Sequence, residues 1–150
     1  MIKAVIFDKD GTLFDFRQSW GAWTLALLQK LEPMTRGDLA AVLGFDENRA
    51  NILNSKGEFL TGTVAEPILG RQAKVDALVD ICARLGIAET EVMAVGDGAN
   101  DLGMPGRAGA GVALHAKPVV AAECDIRINH GDLTALLFIQ GYAREEFVGV

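Results

Sequence analysis

In Ile2-Lys3-Ala4-Val5-Ile6-Phe7-Asp8-Lys9-Asp10-Gly11-Thr12-Leu13, a short apolar run ends in two aspartates two residues apart, followed at once by a glycine. The run is rich in β-branched residues and predicts a buried strand. Gly11 permits a tight turn after it. Two carboxylates are thereby crowded at the carboxyl end of a strand, which is where open α/β sheets place their ligands. Carboxylates held close together repel one another and need a cation or a shared proton. The alternative reading of the stretch is a strand followed by an acidic turn.

A second cluster favours the cation. Val92-Met93-Ala94-Val95 predicts another buried strand, and it runs into Gly96-Asp97-Gly98-Ala99-Asn100-Asp101. If the two strands are parallel neighbours, Asp97 and Asp101 arrive at the same sheet edge as Asp8 and Asp10. A group of carboxylates with little base nearby suits a hard cation with oxygen ligands. Magnesium fits best, because it takes carboxylates, keeps several waters and shares substrate phosphates; the aspartates lack the spacing of a calcium loop. The glycines leave backbone N–H groups open to an anion.

With Asp8-Lys9-Asp10-Gly11-Thr12-Leu13 and Gly96-Asp97-Gly98-Ala99-Asn100-Asp101, the chain resembles the phosphatase branch of the haloacid dehalogenase (HAD) superfamily. From about Ala50 onward it is most similar to phosphoserine phosphatases. The similarity is carried by Gly57-Glu58-Phe59-Leu60-Thr61-Gly62, Lys74, Val95 through Asp101 and His115-Ala116-Lys117-Pro118. The stretch from Asp8 to Trp23 looks more like phosphoglycolate-phosphatase relatives. The resemblance implies a three-layer, Rossmann-like α/β core with a mostly parallel sheet. It also implies magnesium-dependent hydrolysis of a small phosphorylated metabolite through an aspartyl-phosphate. Asp8 would be the nucleophile. Asp10 would protonate the leaving oxygen and then take a proton from the hydrolytic water. Magnesium would be held by Asp8, the backbone carbonyl of Asp10 and Asp97, with Asp101 orienting a metal-bound water. Lys74 would neutralise charge on the phosphoryl group and on Asp8. Gly11, Thr12, Gly98 and Asn100 would contact phosphate. Two of these assignments have structural alternatives: Lys74 as a solvated side chain at a helix start, and Asp101 as a cap of the following helix.

At 150 residues, half of them apolar, the chain is long enough for one core, and a single domain over 1–150 is expected. A formal net charge of −6 argues against a nucleic-acid or anionic-membrane surface. Two cysteines without metal spacing suggest a reducing compartment. The N-terminus is strand-like and acidic, so no signal peptide is expected. No apolar run approaches the roughly 18 residues needed to span a membrane. A cytoplasmic protein is expected.

The predicted order is strand, helices, hairpin, helix, strand, helix, strand, helix. Phe16, Trp20, Trp23, Leu27 and Leu31 recur at helical spacing and predict a helix over 16–31; a short one follows over 38–43. Ala50–Leu53 and Glu58–Thr61 read as strands of a hairpin bent around residues 54–57. A helix is expected over 72–85, with Val75, Leu78, Val79, Cys82 and Leu85 on its apolar face and Gly86 as its stop. Strands over 111–114 and 125–128 and helices after Pro118 and over 132–139 complete the chain. His115 and His130 read as structural or surface groups.

The chain departs from the family pattern in several places. The superfamily's second motif, a serine or threonine after a second strand, has Thr35 as its nearest candidate, although Pro33 is unfavourable in a central strand. Residues 14–48 are short for a cap, a strand and a helix. The cap is therefore expected to be absent or much reduced, in a chain that is capless, internally shortened or a hybrid. A missing strand would leave an unpaired edge, so a homo-oligomer or rearranged pairing is expected. Arg17 stands near the position where phosphoserine phosphatases have a glutamate, and suits a carboxylate or second phosphate unless it simply lies on a solvated helix face. Pro105 is expected to loosen the segment that holds Asp101 if a helix runs through it. A phosphoglycolate-phosphatase-like enzyme and a non-catalytic magnesium- and phosphate-binding relative are the alternative readings.

Overall fold

The computed structural model describes residues 1–8 and 45–147. In chain order the elements are β1 (Ala4–Phe7), β2 (Leu53–Lys56), β3 (Phe59–Val64), α1 (Arg71–Leu85), β4 (Val92–Gly96), β5 (Ala110–Leu114), α2 (Pro118–Ala121), β6 (Ile126–Ile128) and α3 (Ala135–Ile139). Single 3-10 turns stand at Glu89–Glu91 and Arg144–Glu146. The described residues fall into two compact units, one holding 1–8 and 70–147 and the other 45–69.

The first unit is built on a four-stranded sheet in the order β1-β4-β5-β6, with every pairing parallel. All residues of β4 are buried, as an interior parallel strand covered on both faces requires. Its alternating side chains divide the core. Met93 and Val95 join Val112, Leu114, Ile128 and Leu136 on one face, while Val92 and Ala94 join Leu78, Cys82 and Met104 on the other. Leu136 comes from α3, and Leu78 and Cys82 come from α1, so helices lie on both faces and the unit has three layers. This is the α/β architecture expected from the apolar runs.

Val75, Leu78 and Cys82 form the buried stripe of α1. Val79 flanks that stripe, and Leu85 is the last helical residue. Both are exposed, which corrects their placement on the apolar face. The helix stops as expected: Gly86 takes the left-handed conformation at φ 64°, and Ile87 N–H donates to the Cys82 carbonyl.

No helix follows the second acidic cluster. Residues 99–107 are successive turns. Pro105 has no N–H with which to serve the Asp101 carbonyl, which accepts instead from Met104 N–H at 2.8 Å. Met104 is itself buried against Leu78 and Cys82, so the segment is anchored in the core rather than loosened by the proline.

The second unit is an antiparallel hairpin of β2 and β3. Lys56 pairs with Phe59 across a two-residue turn, Gly57-Glu58, with Gly57 at φ 63°. The tight turn draws Asn54, Ser55 and Lys56 into the ladder, so β2 begins at Leu53 instead of Ala50. Asn54 Nδ2 donates to Thr63 Oγ1 at 2.9 Å, and Leu69 N–H donates to Asn51 Oδ1 at 2.6 Å.

The helices expected over 16–31 and 38–43, the shortened region 14–48 up to residue 44, and Asp10, Gly11, Thr12, Arg17 and Thr35 lie outside the described residues. Among the described residues, no helix is long and apolar enough to cross a membrane.

Candidate active site

The parallel register of β1 and β4, Ala4 with Val92 through Phe7 with Val95, sets Asp8 and the second acidic cluster at one sheet edge. Asp8 N–H donates to the Val95 carbonyl at 2.9 Å, which extends the ladder to the first residue beyond β1. Asp97 leaves the end of β4, and the turn after it carries Asp101 inward until none of its surface is exposed. One carboxylate oxygen from each of Asp8, Asp97 and Asp101 lies within 4.8 Å of the others.

Lys74, on the second turn of α1, ties this cluster together. Its ammonium donates to Asp8 Oδ1 at 2.6 Å and to Asp101 Oδ1. The other oxygen of Asp101 accepts from Gly98 N–H at 3.0 Å, and Asp101 N–H donates back to the Gly98 carbonyl at 3.0 Å. Asp101 therefore serves as the clasp of the Gly96–Asp101 turn. It does not cap a helix, because none begins there. Burial works against the charge of Lys74, but the carboxylates of Asp101 and Asp8 outweigh it and hold the ammonium above the ordinary lysine range.

Gly96 is required by close approach. A Cβ at this position would stand 2.6 Å from Asp101 Cβ, well inside van der Waals contact. Gly96→Ala must push Asp101 off Lys74 or bend β4. We expect it to cost about 1–3 kcal/mol of stability, the usual range for overpacking, as read by urea denaturation.

The structure thus brings Asp8, Asp97, Asp101, Lys74 and Gly98 to one place. Asn100 is nearby in sequence but exposed. His115 is exposed too, with φ 47° and its Nε2 2.6 Å from the Gly131 carbonyl, in line with a structural role. Arg71 belongs to no motif; its sequence signal is its position three residues before Lys74. The donor set of the cluster is all anionic oxygen, with no imidazole or thiolate, which fits a hard divalent cation.

A parallel α/β sheet with an aspartate cluster and a lysine at its carboxyl edge defines the class. Within it, the chain belongs to the haloacid dehalogenase-like hydrolase family, whose model matches residues 59–133. That match begins after Asp8, so it is independent of the first acidic pair. The phosphoserine phosphatase SerB2 of Mycobacterium tuberculosis is 40% identical over 108 residues, covering 72% of this chain and 26% of that protein. A phosphoserine phosphatase of a Polaromonas species is 41% identical over 99 residues, covering 63% of this chain and 42% of that protein. The chain therefore spans less than half the length of these two relatives. A solved structure described as a phospho-aspartyl intermediate analogue of phosphoserine phosphatase superposes with a TM-score of 0.64 at 39% identity, covering 67% of this chain and 48% of that one.

Proposed function

We propose that the chain is a magnesium-dependent phosphomonoester hydrolase acting on a small, phosphoserine-like metabolite through an aspartyl-phosphate. One observation carries this reading: Lys74 bridges Asp8 and buried Asp101 beside Asp97. Asp8 is the nucleophile. Its carboxylate oxygen forms a bond to phosphorus as the ester P–O bond breaks. Asp10, two residues on, donates the proton that the departing alkoxide needs and later takes one from the water that releases phosphate. Lys74 holds Asp8 in place and opposes the negative charge gathering on the transferred group. Asp8 and Asp97 would hold magnesium, with Asp101 behind them, and the bound ion would supply charge neutralisation for the phosphoryl oxygens. Asp101 fixes Lys74 on one side and Gly98 N–H on the other, so the cation and the turn keep a common frame.

The same reading makes the partner a free metabolite rather than a nucleic acid or membrane, which the formal charge of −6 favours. Cys82 and Cys124, both buried and free, suit a cytoplasmic, reducing compartment. Release of inorganic phosphate from phosphoserine and from p-nitrophenyl phosphate tests the activity. Release is expected with magnesium and should disappear with a chelator. No release from either ester in excess magnesium would overturn the proposal.

A further inference from the structure

The mechanism above makes no use of Arg71. Arg71 opens α1 and stands three residues before Lys74, so the two share a helix face. Side chains on a helix lean toward its N-terminus. Lys74 reaches Asp8 and Asp101 at the carboxyl edge of the sheet, and Arg71 lies one turn further out in the same direction. Its place is marked by Gly103: a Cβ there would stand 3.7 Å from Arg71 Nε and 3.8 Å from Arg71 Cγ. The guanidinium therefore lies over the turn that carries Asp101. Arg84 and Arg107 of the same unit are paired with Asp80 and Glu89. The Arg71 side chain makes no hydrogen bond or ion pair among the described residues.

We infer that Arg71 is a specificity-determining residue: it receives a second anionic group of the substrate, a carboxylate, while the phosphoryl group sits against Asp8 and Lys74. This inference rests on the phosphatase reading. A planar guanidinium presents paired donors that match the two oxygens of a carboxylate, and such charge-assisted pairs are strong and directional. The distance between the two groups suits a short phosphorylated acid, since Arg71 and Lys74 are separated by a single helical turn. An exposed arginine without a carboxylate partner retains its charge and its donors for such a ligand.

Phosphoserine and phosphoethanolamine test the idea, because they share phosphate and amine and differ in the carboxylate. With Arg71→Gln, KM for phosphoserine is expected to rise about tenfold with kcat nearly unchanged, the loss of one charge-assisted pair. Activity toward phosphoethanolamine should stay within about twofold, and Arg71→Lys should recover part of the phosphoserine KM as a point charge without the fork. Equal losses on both esters, or none on either, overturn the assignment. If the unaltered protein hydrolyses neither ester, the phosphatase reading fails by itself, and calorimetric binding of the same two compounds decides the role of Arg71. Preference for phosphoserine that vanishes in Arg71→Gln supports it; equal binding of the two compounds by the unaltered protein overturns it.

Discussion

Asp8→Asn is expected to abolish phosphate release, with a loss of at least about a thousandfold in kcat, as removal of a covalent nucleophile does elsewhere. The amide keeps the shape of the carboxylate but cannot form the acyl phosphate. The substitution also removes one of the two anions that Lys74 meets among the described residues. Lys74 keeps Asp101, whose oxygen lies on the same ammonium, so the fold should survive. A melting temperature close to that of the unaltered protein, combined with absent turnover, is the expected pair of results. Turnover above a tenth of the original value would remove Asp8 from the nucleophile's role.

Lys74→Met is expected to lower both turnover and stability. Asp101 is fully buried and Asp8 only partly exposed, and their shared cation is the ammonium of Lys74. Removing one partner from a buried ionic group leaves an uncompensated charge, which costs about 3–5 kcal/mol. Urea denaturation in a chelator should show a loss of this order. Magnesium should return part of it, because a divalent cation at the same carboxylates replaces the missing positive charge. In an Asp101→Asn background the penalty should shrink, since the buried anion is already gone. Turnover should fall about a hundredfold or more, as when an electrostatic stabiliser of the transferred group is lost. A stability within about 1 kcal/mol of the unaltered protein would show that the ionic cluster does not hold the site together.

Much of this was legible in the residues themselves. The apolar runs before Asp8 and Asp97 predict buried strands, and both strands are found, because β-branched runs closed by glycine are local signals; β4 is buried throughout, whereas β1, last in the order of the described sheet, has no fully buried residue. The helix over Arg71–Leu85 and its stop at Gly86 follow from periodicity and cap chemistry, again local. The hairpin register was not legible. Gly57 and Glu58 form a two-residue turn only when Lys56 and Phe59 pair, and that choice belongs to the ladder rather than to residues 54–57. The path of the segment after Asp101 was open in the sequence for a related reason. Its composition allows a helix, but Pro105 removes the one donor the Asp101 carbonyl would need, and Met104 settles the path by entering the core.

By itself, the sequence determined the chemical inventory: two aspartate clusters at strand ends, a lysine at a helix start, and the likeness to phosphate-handling hydrolases. These depend on residue types at short spacing. Only the tertiary structure decided that Lys74, 66 residues from Asp8, meets both Asp8 and Asp101. Only it decided that Asp101 is buried and clasped to Gly98, and that the Arg71 side chain, one turn before Lys74, has no hydrogen-bond or ion-pair partner among the described residues. The physical reason is that charge pairing and burial depend on which elements lie side by side. Parallel strands meet through crossovers whose length and packing no single motif encodes. The first stretch, with Asp8 at its end, thus indicated where chemistry would occur, and the packing of α1 against β4 supplied the cation beside it.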